Sequence, residues 1–221
     1  MMSWSVQHVS APAAVVHGGD LAGPRRVYVI ESPGTAVVLG SRQSTALLDR
    51  DACVRGGVEV VVRRSGGGIV YLPQSQYVWI DVVIDRADPL WTDDVRRSMF
   101  WIGETWRNAL IVLGVGGCRL HEGPVIGGAL GELVCFAGVG PGEVVTAEGA
   151  KVVGIAQRRT RDLARFQCTV MRRWEPEELV ALLADKDLAA ATLRQRVQVV
   201  EDDPAAIVAA FVQSLPARPP A

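Results

Sequence analysis

The chain has 221 residues, 49% hydrophobic and 21% charged, with 23 Lys plus Arg against 24 Asp plus Glu and a formal net charge of -1. This is a globular composition, long enough for one large core and short for two; the near-zero charge leaves no electrostatic footprint for nucleic acid, and no polybasic cluster adjoins an amphipathic segment for membrane docking. With no run near the roughly 18 apolar residues of a membrane span and no leader pattern, the expectation is a cytoplasmic single domain over residues 1–221 with neither partner.

Residues 1–24, rich in Gly, Pro and Ala with weak periodicity, read as an N-terminal arm with room for a short helix. Residues 26–30 and 36–39 are β-branched runs separated by Ser32, Pro33 and Gly34, the pattern of strand, turn and strand. Residues 46–48 and 52–54 share one helical face that stops at Gly56 and Gly57. A branched apolar strand from Val58 then empties into a glycine turn, and 77–84 is another long apolar strand ending at Asp88 and Pro89. Thr92, Asp93 and Asp94 supply an N-cap and an acidic first turn. After them Val95, Met99, Ile102, Trp106, Leu110 and Leu113 form the buried stripe of one long helix, a spacing that explains its aromatic residues as core.

Residues 114–142 are dense in glycine and read as a mobile or closely packed loop region. Strands resume at 143–146 and 151–156 as a tight hairpin with Lys151 at the entry of its second strand, and a last strand covers 166–171. Pro176 opens a helix over 177–183, and a second apolar helix spans 204–215. Strands, helix, strands and terminal helices in that order make an α+β plan with a mixed, mostly antiparallel sheet.

Chemistry concentrates in two places. Arg63, Arg64, Ser65, Gly66, Gly67 and Gly68 lead into Ile69, Val70 and Tyr71. Three consecutive glycines remove every Cβ, so successive N-H groups can converge on an anion, and the arginines add positive charge. The plain alternative is a hairpin turn. Second, only Lys151 and Lys186 are lysines among the 23 basic residues. A lysine retained in an arginine-rich chain points to a crowded oxygen cluster that a planar guanidinium cannot enter. Lys186, between two aspartates, reads as a solvated charge. Cys53, Cys118, Cys135 and Cys168 include no Cys-x-x-Cys pair, which argues against a zinc site or dithiol motif and for buried apolar roles.

The 63–71 stretch, residues 149–159 (Gly-Ala-Lys-Val-Val-Gly-Ile-Ala-Gln-Arg-Arg) and residues 37–43 (Val-Val-Leu-Gly-Ser-Arg-Gln) together resemble the lipoate-protein ligase and octanoyltransferase family. No one of them suffices; three in the family's order do. The resemblance implies the biotin/lipoate ligase catalytic fold, with a family-like core over 25–172, a C-terminal helical tail over 173–221 and no room for the ligase accessory domain. It further implies lipoate or octanoate as substrate, ATP and Mg²⁺ as cofactors, a lipoyl-domain lysine as acceptor in place of a biotin acceptor, and a possible separate accessory chain. By the same resemblance, the 63–71 loop and Gly154 hold the nucleotide or acyl-adenylate, while Lys151 reaches the acyl carbonyl and the phosphate, where a fixed ammonium stabilises developing negative charge.

The sequence departs from the ligase pattern at Leu72 and Pro73, where the family has His-Asp, and at Gly142 and Glu143, where an Asn-Asp pair helps hold magnesium. Cys135 and Phe136 lie 16 residues before Lys151, close to where related octanoyltransferases carry a nucleophilic Cys-Phe and need no ATP. The leading expectation is an ATP-dependent ligase; the alternatives are a transferase with Cys135 as thioester nucleophile and a non-catalytic lipoyl- or nucleotide-binding relative. Cys135 also fits a small buried residue, and His121 is the conceivable base.

Overall fold

The structure, a computed structural model, describes residues 3–217. The elements run β1 (Ser5–Ser10), α1 (Ala13–Gly18), β2 (Arg26–Glu31), β3 (Ala36–Leu39), α2 (Arg50–Arg55), β4 (Glu59–Val62), β5 (Val70–Leu72), β6 (Tyr77–Asp85) and α3 (Ser98–Val112). They continue with β7 (Arg119–Leu120), α4 (Gly128–Leu133), β8 (Val144–Val145), β9 (Lys151–Arg159), β10 (Leu163–Met171), α5 (Pro176–Val180), α6 (Ala190–Arg194) and α7 (Pro204–Gln213).

Seven strands form one sheet in the order β1-β2-β6-β10-β9-β8-β7, antiparallel except for the β1–β2 pair. Central β6 is apolar on both faces, and its period-two alternation divides the interior in two. Tyr77, Trp79 and Val83 face a core shared with α1, the smaller sheet and α5. Val78, Ile80, Val82 and Ile84 face a core built on α3 and α7, where Trp106 and Phe211 pack with ring centroids 4.4 Å apart. Met99, Ile102, Trp106 and Leu110 are the buried stripe of α3, as their spacing predicts.

Two helix readings are corrected. The helix does not begin at Thr92: the Asp94 carboxylate caps a separate turn through the Arg96 and Arg97 amides, Arg159 bonds the Thr92 carbonyl, α3 starts at Ser98, and Val95 is exposed. The runs at 26–30 and 36–39 are strands joined by a turn, as expected, but they do not pair with each other: β2 belongs to the large sheet and β3 lies between β4 and β5 in a second, three-stranded one. For the same reason the glycine turn does not join paired strands. Asp49, capping α2 through the Ala52 amide, interrupts the helix expected over 46–54 and leaves Val54 exposed. The N-terminal arm holds the short helix expected there, α1, and adds a strand, β1, with the Glu59 carboxylate accepting from the Ala13 and Ala14 amides.

The glycine-dense region is closely packed in part, because a Cβ on Gly131 would lie 2.7 Å from the Gly138 Cα. The C-terminal segment returns to the large sheet: Lys151 donates its amide to the Arg196 carbonyl, and the Gln198 amide donates to the Lys151 carbonyl.

Candidate active site

The three sequence motifs converge on one turn, Cys135–Ala137. Gln43 donates from its side-chain amide to the Glu132 and Leu133 carbonyls while accepting from the Gly40 amide. Ile69 exchanges backbone hydrogen bonds with Leu133 and Cys135, at 2.7 and 2.8 Å. Lys151 donates from Nζ to the Cys135 carbonyl at 2.7 Å. Glycine is required in the loop between them. Gly67 has φ +99°, and a Cβ on Gly68 would sit 2.7 Å from the Cys135 amide nitrogen.

Lys151 is 2% exposed and ion-paired with Glu143 at 2.8 Å. Glu143 also accepts from the Ile155 amide at 2.9 Å and the Gly140 amide at 2.6 Å, so both its oxygens are engaged. The Lys151 ammonium has three N-H groups and lies 2.9 and 2.8 Å from the two Glu143 oxygens and 2.7 Å from the Cys135 carbonyl, at the wall of the outer cavity described below.

Arg63 lies beneath the loop. Its guanidinium donates to the carbonyls of Val38 at 3.1 Å, Gly66 at 2.8 Å and Gly68 at 2.9 Å, while Nε is buried without a partner. Burial pulls its pKa down and the adjacent Cys135 sulfur pulls it up. Arg64 points outward to Asp20. Ser65 donates to Gln167 Oε1 at 2.9 Å, and the Tyr71 hydroxyl bonds Glu178. Gly154 lies under the Phe136 ring, which a Cβ there would meet at 3.1 Å. His121 bonds the Pro124 carbonyl and lines neither cavity described next.

Two cavities meet at Cys135. The outer one, about 490 Å³, is walled by Gly66, Gly67 and Gly68 and by Glu143, Lys151 and Gln157. The inner one is a narrow, mainly apolar slot of about 40 Å³, room for a few water molecules. Val38, Val70, Leu72, Trp79, Phe136 and Gly154 line it, with His17, Arg63 and Gln167 as polar members. Cys135, Ile155 and Ala156 line both.

His17, Gln167 and Trp79 were not singled out from sequence, although signals for some existed. Arg165, Gln167 and Thr169 recur at period two in an otherwise apolar strand, and Asp81 is a lone carboxylate inside another. Both patterns mark polar groups facing an interior. His17, in a segment with no clear periodicity, carried no comparable signal.

Among the described residues no group of three His, Cys, Asp or Glu side chains could hold a metal ion. Glu143 is committed to Lys151 and two amides, so the residues here do not fit the magnesium that the Asn-Asp pattern implies.

A family model described as the lipoyl protein ligase A/B catalytic domain matches residues 21–212. Among solved structures, a bi-partite lipoate protein ligase from Thermoplasma acidophilum, studied with its E2 lipoyl domain, is 18% identical with TM-score 0.72, covering 97% of this chain and 82% of that one. A lipoate-protein ligase A bound with ATP gives TM-score 0.73 at 17% identity, covering 96% and 84%. A biotin protein ligase from Aquifex aeolicus, in complex with biotin and ATP, gives 0.52 at 10% identity, covering 95% and 68%. No curated protein matches the sequence. The mixed α+β fold with a large, mostly antiparallel sheet is that of the lipoate/biotin ligase catalytic domain.

Proposed function

This chain belongs to the lipoyl protein ligase A/B catalytic-domain family, and we propose that it transfers a lipoyl-type medium-chain acyl group to a lysine of a lipoyl domain through a thioester on Cys135. The observation that carries this reading is the position of Cys135, where the apolar slot meets the outer cavity that Lys151 lines. An acyl group bonded there has its chain in the slot and its carbonyl beside Lys151.

The residues support the steps in order. The Cys135 thiol gives its proton to solvent beside the Arg63 guanidinium, while the Lys151 ammonium bonds the Cys135 carbonyl. The thiolate attacks the carbonyl of an acyl-thioester donor, the donor carbon–sulfur bond breaks, and the released thiolate takes a proton from solvent. The neutral amine of the acceptor lysine then attacks the Cys135 thioester. Its amide bond forms as the Cys135 carbon–sulfur bond breaks, and the amine's surplus proton passes to solvent. In both steps the Lys151 ammonium lines the cavity in which the carbonyl oxygen gains charge; a donor of this kind contributes roughly 10²–10³ in rate. The chain enters by parting the walls of a slot now only wide enough for water.

A second reading, adenylation of free lipoate or octanoate by ATP before transfer, is supported by the likeness to a ligase bound with ATP and by an outer cavity walled by glycine amides and Lys151.

The discriminating experiment supplies a lipoyl-domain acceptor with an octanoyl or lipoyl thioester without ATP, or with the free acids plus ATP and magnesium, using wild type and Cys135→Ala. Mass spectrometry is expected to find acylated acceptor from the thioester, an acyl adduct on the wild-type chain before acceptor is added, and neither with Cys135→Ala. ATP-dependent labelling that survives Cys135→Ala would reassign the chain to adenylation. Silence of the folded protein in both arms would leave the binding-only relative.

A further inference from the structure

The far wall of the slot comes from α1, and His17 lies outside the residues that the family model matches. His17 is 8% exposed, and its ring stacks on Trp79 with centroids 4.7 Å apart. One buried carboxylate fixes both. Asp81 accepts from Trp79 Nε1 at 2.7 Å and from Arg165 Nε at 2.6 Å, and Arg165 donates to the Val16 and Gly19 carbonyls on either side of His17. Burying an arginine–carboxylate pair is costly and seldom the most stable choice for a core; here it holds an imidazole against a cavity.

The hydrogen-bond order sets the state of that imidazole. Ser65 donates to Gln167 Oε1, which turns Gln167 Nε2 toward His17 Nδ1 at 3.1 Å. Nδ1 therefore accepts, and the proton resides on Nε2. Burial, then Arg165 and Arg63, hold the His17 pKa down to about 3, so the ring is neutral. Among the described residues no group accepts from Nε2. His17, a wall of the slot, thus carries an N-H donor without a protein partner.

Reach identifies what meets it. The slot crosses the large sheet from β9, where Cys135 and Ala156 open to the outer cavity, over Gln167 of β10 to Trp79 of β6. Two strand spacings are roughly 10 Å, the length of an extended eight-carbon chain, so the distal atoms of an acyl group on Cys135 lie against the His17–Trp79 stack. A methyl terminus would displace water from Nε2 and leave the donor unpaired. A ring sulfur accepts weakly from N-H and packs well against aromatic faces.

We propose that His17 is a specificity-determining residue, donating from Nε2 to a sulfur of a dithiolane ring so that the slot takes a lipoyl group in preference to an octanoyl group. The inference rests on the reading of the slot as an acyl site.

Calorimetric titration of the full chain with lipoic acid and with octanoic acid tests both without requiring turnover. Wild type is expected to bind lipoic acid about tenfold more tightly, the scale set by one unpaired buried donor. In His17→Phe, which keeps a ring on Trp79 and removes the N-H, the two affinities should converge within about twofold. His17→Leu gives the same comparison should the larger ring disturb folding, and thermal unfolding reports whether each variant is native. A ratio unchanged in a folded variant, or a wild-type preference for octanoic acid, overturns the role of His17 and leaves the acyl site standing. Binding of neither acid to wild type overturns the acyl site and the inference with it.

Discussion

Lys151 and Glu143 are the costliest side chains of the site to alter, because each is buried against the other's charge. Truncating Lys151 alone leaves a carboxylate 5% exposed with no cation, a loss of about 3–5 kcal/mol. Lys151→Ala is therefore expected to lower the urea midpoint as well as abolish transfer. The double change Lys151→Met with Glu143→Gln, which removes both charges, should recover part of the stability and stay inactive. If transfer persists in the double variant, Lys151 has no part in the chemistry. His17 makes a separate prediction about pH. The unfolded chain binds a proton at this residue below about pH 6.5, while the folded chain does not until about pH 3. The unfolded state thus holds the extra proton between those values, so His17 stabilises the fold fully above pH 6.5 and loses up to about 1.4 kcal/mol per unit as pH falls below it. Unfolding midpoints of wild type and His17→Phe should differ less at pH 5 than at pH 7. Parallel pH curves would mean that the native imidazole titrates normally.

At the scale of elements, the glycine loop is held from below and from the side. Arg63 bonds two of its carbonyls, and Gly40 allows such close approach that a Cβ there would lie 1.9 Å from the Gly67 carbonyl oxygen. The obstacles at Gly68 are backbone atoms of residues 133–135, which no rotamer change can move. Gly68→Ala should cost about 1–3 kcal/mol, shift the Cys135 turn and slow its alkylation by a thiol reagent. Gly66, with open space around it, should tolerate alanine within about 0.5 kcal/mol. Equal denaturation midpoints for the two variants would refute the packing argument. Lys151 is itself placed by strand pairing, with β8 on one side and residues 196–198 of the C-terminal segment on the other. That segment is therefore part of the site's framework as well as of the cores.

For the molecule as a whole, the large sheet separates two cores with different duties. Of the inner slot's lining, the α3–α7 core contributes Ile155, while the opposite core contributes Val38, Leu72, Trp79 and Phe136. Trp106→Ala should cost about 3–5 kcal/mol while the folded fraction still binds lipoic acid with wild-type affinity. Trp79→Ala should lose both stability and binding, because that ring is core and cavity wall at once. Calorimetry at matched folded fraction separates the two cases, and weakened binding in Trp106→Ala would show that the sheet transmits strain between its faces. No helix among the described residues is long and apolar enough to cross a membrane.

The period-two runs of β6, β9 and β10, the stripe of α3, the glycine loop and the solitary Lys151 are readable in the chain itself, because each is written in neighbouring residues. Cys135 beside Phe136 stands out only through the family resemblance, since a lone cysteine by itself reads as a small buried residue. Contacts across the fold are not written that way. Nothing near Arg63 says that its guanidinium turns inward to three carbonyls, nor that β3 inserts between β4 and β5 instead of pairing with β2. Even less does the N-terminal arm announce that His17 meets Gln167, 150 positions away. Strand order decides these matters. Sheet pairing brings α1 over Trp79, and burial then forces each polar group there to find a partner or face a cavity, which turns a histidine of no local distinction into a wall of the apolar slot.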